Sequence, residues 1–300
     1  MFAGFNLVIL RSNLMSIPAM TADKITKEQV QRLLQPRKKD AEKRDFGHLL
    51  LIGGSYGMIG AVSMAAKAAL RSGAGLVTIL APRCGYGILQ SQIPEAMILP
   101  SSDDEYLEIL PDLNFFEQIA VGPGLGRHKG TATFIDLLLR MDKPMLIDAD
   151  ALNIISEHHW QPRIPKGSLL TPNIREFDRL FPSEKNKDEY PQILREKATE
   201  LNCYILRKGA GTQLAFPDGS MYVNTTGNPG MAKGGSGDVL TGTIAGLWSR
   251  LNSLEHAVVA GVYLHGLAGD IAASKFHMES MLPTDLIACL PDAFRQLDER

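Results

Sequence analysis

The sequence predicts an α/β fold with one central, mostly parallel sheet covered by helices on both faces. Three observations predict it. Apolar runs of strand length alternate with helical periodicities from residue 47 onward, and no linker interrupts them. The strands empty into glycine, amide or acid clusters at their carboxyl ends, where open parallel sheets bind ligands. A glycine loop, Gly234-Gly235-Ser236-Gly237-Asp238, then feeds straight into a helix carrying Val239, Leu240, Ile244 and Leu247 at helical spacing.

Taken in order, Thr26 is a plausible cap for a short helix through Leu34. After a charged segment over 36–45, Gly47–Ile52 reads as a buried strand stopping at Gly53-Gly54. The run from Ala61 reads as a helix ended by Gly73 or Gly75, and Leu76–Leu80 as the next strand. Ile119-Ala120-Val121 empties into Gly122-Pro123-Gly124-Leu125-Gly126 ahead of a helix over 130–141. Met145-Leu146-Ile147 ends in Asp148-Ala149-Asp150, and two acids there are more often a solvated turn and cap than a site. Leu169-Leu170-Thr171 runs into Asn173 and Glu176 at the head of a helix through Leu180. Tyr204–Arg207 runs into Lys208-Gly209-Ala210-Gly211-Thr212. Residues 213–216 and 221–224 form a hairpin pattern about Pro217-Asp218-Gly219. Two helices close the chain, Leu254–Ser274 and Pro283 to about Leu297. Small residues on the first (Ala257, Ala260, Gly261, Ala268) allow close packing, and its His256 and His265 lack the spacing of a metal pair.

Composition narrows the function. A 45% hydrophobic content over 300 residues suffices for one large core, so residues 23–300 are expected to be a single domain behind a loosely ordered leader over 1–22. Met15 and Met20 could each begin a shorter chain. The formal charge is −2 and no basic run suggests nucleic acid as a partner. Three dispersed cysteines fit neither a disulfide framework nor zinc and point to a reducing cytosol. The oily run Phe2–Leu10 is too short to span a bilayer, and no other apolar run is expected to, so no membrane is expected as a partner.

The glycine loop carries the chemical argument. The first amides of a helix lack internal partners and lie at the positive end of its dipole, so they can close on a phosphate. Asp238 at the mouth of such a site would repel that ligand. It is best explained as a base taking the proton from a hydroxyl about to attack phosphorus, against the plainer reading of an acid stabilising its own helix. A dinucleotide fingerprint is disfavoured because the spacing at Gly54, Gly57 and Gly60 is GxxGxxG and no acid is placed for a ribose. A Walker loop is absent.

At this point a family resemblance enters. The loop aspartate and Asn173-x-x-Glu176 resemble elements of ribokinase-like small-molecule kinases. GGSYGMIGA at 53–61, ALRSGAGLVTI at 69–79, PEAM at 94–97, VGPGLG at 121–126, DADALN at 148–153, LTPNIREF at 170–177, KGAGT at 208–212 and NTTGNPGMAKGGSGDVLTG at 224–242 resemble the NAD(P)H-hydrate dehydratases more closely. The resemblance covers about residues 25–295. It implies a ribokinase-like three-layer α/β/α sandwich that restores NADHX or NADPHX to NADH or NADPH, using ADP or ATP with Mg²⁺. The bacterial-looking pattern tilts the nucleotide toward ADP. The alternative is a ribokinase-like kinase of a vitamin precursor or sugar.

Residue by residue, the resemblance implies that Ala61, Gly124, Asn173 and Asp238 contact the hydrate. Lys208, Gly209, Ala210, Gly211, Thr212 and Gly237 would contact the nucleotide, and Gly234, Gly235 and Ser236 would complete the anion loop. Glu176 would hold magnesium through water, with Asp148 and Asp150 as second candidates. Asn173 stands where many bacterial members carry His, which leaves it a hydrogen-bonding role. The resemblance also implies a cytoplasmic homo-oligomer, a tetramer.

Overall fold

Residues 22–183 and 189–299 are described by a computed structural model of the chain; the expected leader lies outside them except for Ala22. Ten strands make one sheet among the described residues: β1 (Asp23–Lys24), β2 (His48–Ile52), β3 (Leu76–Ala81), β4 (Met97–Pro100), β5 (Gln118–Val121), β6 (Leu146–Ile147), β7 (Leu169–Leu170), β8 (Tyr204–Arg207), β9 (Gln213–Ala215) and β10 (Met221–Val223). Their order is β1-β10-β9-β8-β7-β6-β5-β2-β3-β4. From β8 through β4 every neighbouring pair is parallel, and β9 and β10 form the expected antiparallel hairpin.

Period-two alternation divides the strand side chains between two helical layers. Leu49, Leu51, Val77, Ile79, Ala120 and Leu146 face one core; Leu50, Ile52, Leu80, Ile119, Val121 and Ile147 face the other. The first core is covered by α1 (Lys27–Leu33), α2 (Ile59–Arg71), α8 (Ser236–Leu251), α9 (Leu254–Phe276) and α10 (Pro283–Asp298). The second lies under α4 (Lys129–Leu139), α5 (Ala149–Glu157), α6 (Ile174–Leu180) and α7 (Tyr190–Leu201). Each fully buried Leu or Ile on these faces contributes about 1.5–3 kcal/mol, so both layers are held by the strands they share.

Local signals set several boundaries as the sequence suggests. Thr26 caps α1 by accepting from the Gln29 amide at 3.2 Å. The helix beginning at Ile59 ends at Arg71, just ahead of Gly73 at φ +108°. Four elements carry no strong local signal and were not foreseen: α3 (Tyr86–Gln92), α7, and the edge strands β1 and β4.

Helices α2 and α8 meet through glycines. A Cβ on Gly242 would stand 2.0 Å from the Ala65 carbonyl, and one on Gly246 would stand 2.3 Å from that of Ala69. The predicted close packing of the 254–274 helix is realised at Gly261, which lies against Ile244. One expectation needs correction. At 23 residues, with an 18-residue stretch of mean hydropathy 1.3, α9 is long and apolar enough by composition to cross a membrane. Most of it is buried between α8 and α10, which accounts for its apolarity as that of a core helix.

Candidate active site

The chain runs from β2 outward to β3 and β4, then returns to the other side of β2 with β5 and continues through β6, β7 and β8. Strand order therefore reverses between β2 and β5, the point beyond whose carboxyl ends open α/β sheets bind ligands. The loops after these two strands touch there. The Gly54 amide donates to the Pro123 carbonyl at 2.9 Å, and Ser55 Oγ donates to that of Gly124 at 2.9 Å. Gly124 has φ +62°, and a Cβ on it would meet the Met58 carbonyl at 2.4 Å and the Ala61 methyl at 2.9 Å. Ala61 and Gly124 thus lie side by side at the switch point.

One turn beyond Ala61, the Met64 side chain reaches the glycine loop, where a Cβ on Gly235 (φ +102°) would lie 2.7 Å from Met64 Cε. This left-handed glycine starts α8 at Ser236. Asp238 stands in the first turn of α8, half-buried. Among the described residues its carboxylate accepts no hydrogen bond and caps nothing, so the plainer reading of a helix-stabilising acid is reduced to its interaction with the helix dipole. Burial, reinforced by the nearby Asp148 charge, pushes its pKa up to about 7, with Lys208 opposing.

Asp148 is the hub of the site. It is 1% exposed, and both oxygens are engaged, one by Lys208 Nζ at 2.6 Å and the other by the Thr241 hydroxyl at 2.6 Å. The adjoining Ala149 has φ +47°, an uncommon conformation for a residue with a side chain. Gly122 permits this approach, since a Cβ there would fall 1.8 Å from the Asp148 carbonyl oxygen. The expectation of Asp148-Ala149-Asp150 as a solvated turn and helix cap is corrected accordingly. Asp148 sits at the N-cap of α5 without capping it, and Asp150 accepts from the Gly126 amide at 2.9 Å.

Lys208 Nζ lies 3.9 Å from Glu176 Oε2 and 3.3 Å from where a Cβ on Gly237 would stand. Burial alone would lower its pKa, but Asp148 and Glu176 raise it above the ordinary lysine value, so the ammonium is permanent. The residues after it, Gly209-Ala210-Gly211, are exposed at the rim, in a turn where Thr212 Oγ1 donates to the Gly209 carbonyl at 2.9 Å. Asn173 and Glu176 form a capping box at the start of α6. Asn173 Oδ1 accepts from the Arg175 and Glu176 amides, and Glu176 Oε2 accepts from the Asn173 amide at 2.8 Å. The amide nitrogen is what Asn173 has left to present. Burial holds the Glu176 pKa above the usual range.

The sequence-predicted residues are therefore linked in one contiguous rim. The Asp148–Lys208–Thr241 clamp escaped sequence reasoning, because its members are 60 and 93 residues apart and no spacing could join them.

A carboxylate beside the first amides of a helix, at the switch point of the sheet, is an arrangement suited to phosphoryl transfer, and the α/β/α sandwich is that of ribokinase-like proteins. The model of the NAD(P)H-hydrate dehydratase family matches residues 49–292, and the chain belongs to that family. It is 40% identical over 281 residues to the bifunctional NAD(P)H-hydrate repair enzyme Nnr of Moorella thermoacetica, covering 89% of this chain and 52% of that one. The chain spans about half the length of such bifunctional relatives. It is 32% identical over 279 residues to the ADP-dependent (S)-NAD(P)H-hydrate dehydratase of Staphylococcus aureus, covering 91% of this chain and 98% of that one. The crystal structure of the Bacillus subtilis ADP/ATP-dependent NAD(P)H-hydrate dehydratase, co-crystallised with ATP and Mg²⁺, superposes with TM-score 0.81 at 30% identity. It covers 93% of this chain and all of that one.

Proposed function

We propose that this chain dehydrates the S-form of NADHX or NADPHX to NADH or NADPH, with ADP or ATP giving up a phosphoryl group. What carries the reading is Asp238, a carboxylate with no internal hydrogen bond and a pKa of about 7, beside the first amides of α8. The hydrate hydroxyl is a poor leaving group. Asp238 takes its proton, the oxygen attacks the terminal phosphorus, and AMP or ADP departs. The ring nitrogen lone pair then expels inorganic phosphate, and loss of a proton from the neighbouring ring carbon restores the dihydronicotinamide. The amides of Gly235 and Gly237, with the Lys208 ammonium beside them, oppose the charge on the transferring group, while that of Ser236 donates to the Lys233 carbonyl at 3.2 Å.

Ala61, Gly124 and the Asn173 amide nitrogen border the proposed hydrate site, and Lys208–Thr212 with Gly237 the nucleotide site. Among the described residues no three His, Cys, Asp or Glu side chains converge as metal ligands. In this reading a hydrated Mg²⁺ comes with the nucleotide phosphates and is steadied through water by Glu176, since this ion gives up its waters reluctantly. When bound, the ion neutralises phosphate charge. A cytoplasmic location and a tetrameric assembly belong to the same reading and rest on the resemblance.

The test is to supply purified protein with hydrate, Mg²⁺ and ADP or ATP. Return of the reduced-nicotinamide absorbance with equimolar phosphate supports the reading, and no return refutes it. Accumulation of a stable phosphorylated product from a vitamin precursor or sugar would favour the kinase alternative.

A further inference from the structure

The glycine loop is held from behind by α9, at both of its ends. At the near end, Asn224 Nδ2 donates to the Val262 carbonyl at 3.3 Å and Thr226 Oγ1 to that of Tyr263 at 2.8 Å. Asp270 accepts from the Gly227 amide at 2.9 Å and from Asn228 Nδ2 at 3.0 Å. At the far end, beside the anion-binding amides, stands His265. It is 8% exposed, and its Nε2 lies 3.0 Å from the Ser236 carbonyl oxygen. A carbonyl can only accept, so Nε2 carries the proton. Burial pushes the His265 pKa down to about 4, so the ring is neutral through the physiological range.

The Ser236 carbonyl and the Gly237 amide belong to one planar trans peptide unit. Fixing the direction of that C=O fixes the opposite direction of that N–H. Along the axis of α8 the same carbonyl takes the helical bond from the Leu240 amide, and His265 is a second donor that reaches it from the side. The Ser236 hydroxyl is buried without a hydrogen-bond partner, and Gly237 has no side chain to restrain its backbone. We infer that His265 is a positioning residue: its hydrogen bond to the Ser236 carbonyl aims the Gly237 amide at the phosphoryl group in transfer. The inference rests on the reading of Asp238 and the glycine loop as a phosphoryl-transfer site.

The experiment compares His265→Leu, which removes the donor, with His265→Gln, whose amide nitrogen can reach about as far as Nε2. His265→Leu is expected to lower kcat roughly 10- to 100-fold, as for a displaced oxyanion donor, with the hydrate KM nearly unchanged. His265→Gln is expected to recover most of that loss at a similar Tm. Wild-type turnover in the leucine variant, or equal losses in both variants at equal Tm, would overturn the inference.

A measurement on the unmodified protein covers the case in which His265→Leu does not fold. Nitrogen NMR of the His265 ring should show a proton on Nε2 and none on Nδ1 at neutral pH; the reverse tautomer would refute the hydrogen bond. Failure of the functional reading looks different, because wild-type protein would then turn over no hydrate while the tautomer result stood.

Discussion

Lys208 Nζ and Asp148 Oδ1 meet at 2.6 Å between the ends of β8 and β6, from positions 60 residues apart, and this contact sets the electrostatics of the rim. The ammonium is held where it faces the start of α8, and the Thr241 hydroxyl donates to the carboxylate's other oxygen. Asp148→Asn would leave a largely buried ammonium with Glu176 as its remaining near partner. Breaking one side of such a pair costs about 3–5 kcal/mol. Thr241→Val, which removes one hydrogen bond, should cost about 1–3 kcal/mol. Chemical denaturation of the two variants checks the order, and equal stability of Asp148→Asn and wild type would contradict the clamp.

Asp238→Asn should abolish turnover and leave nucleotide affinity close to wild type, measured by calorimetry with ADP and Mg²⁺. Equal loss of both would return Asp238 to a structural role.

The same substitution has a stability signature. A carboxyl raised from 3.8 to about 7 holds an extra proton in the native state between those values. Folding stability therefore falls as pH climbs through that window, and the full cost persists above it. Asp238→Asn removes the cost, so its Tm gain over wild type should be a few degrees near pH 8 and smaller near pH 5. A gain that shrinks with rising pH would contradict the burial of this group.

Because the base must be ionised, kcat/KM should rise with pH and level off above about 7, the Asp238 value in the free enzyme. A profile flat from about pH 5 upward would mean that a different group limits the reaction.

Gly122→Ala should be more damaging than Gly57→Ala, although both positions have positive φ. A Cβ on Gly122 strikes the Asp148 backbone at 1.8 Å, whereas one on Gly57 meets nothing within 4 Å. Expression and thermal melts of the two variants make the comparison. Loss of the hub at position 148 should cost Gly122→Ala its activity as well.

Much of the fold was legible before any coordinates. The continuous apolar run at 48–52 and the glycines at 73 and 234–237 act through near neighbours: strand pleat, helix period and the steric freedom of one backbone unit. Helix α7 and the two-residue β1 were not, because α7 owes its place to packing under β8 and β9 and β1 to pairing with β10. The membrane-length apolarity of α9 likewise had meaning only once its neighbours were known.

The sequence by itself determined that glycines precede an acid at a helix start and that parallel strands end in polar clusters. It also carried the family's motifs. Only the tertiary structure decided that Asp148 holds Lys208, that Asp238 is an acid of near-neutral pKa, and that His265 grips the Ser236 carbonyl. Backbone preference is a short-range property of successive residues. Charge, burial and hydrogen bonding depend on distance in space, which folding sets across separations that spacing along the chain does not encode.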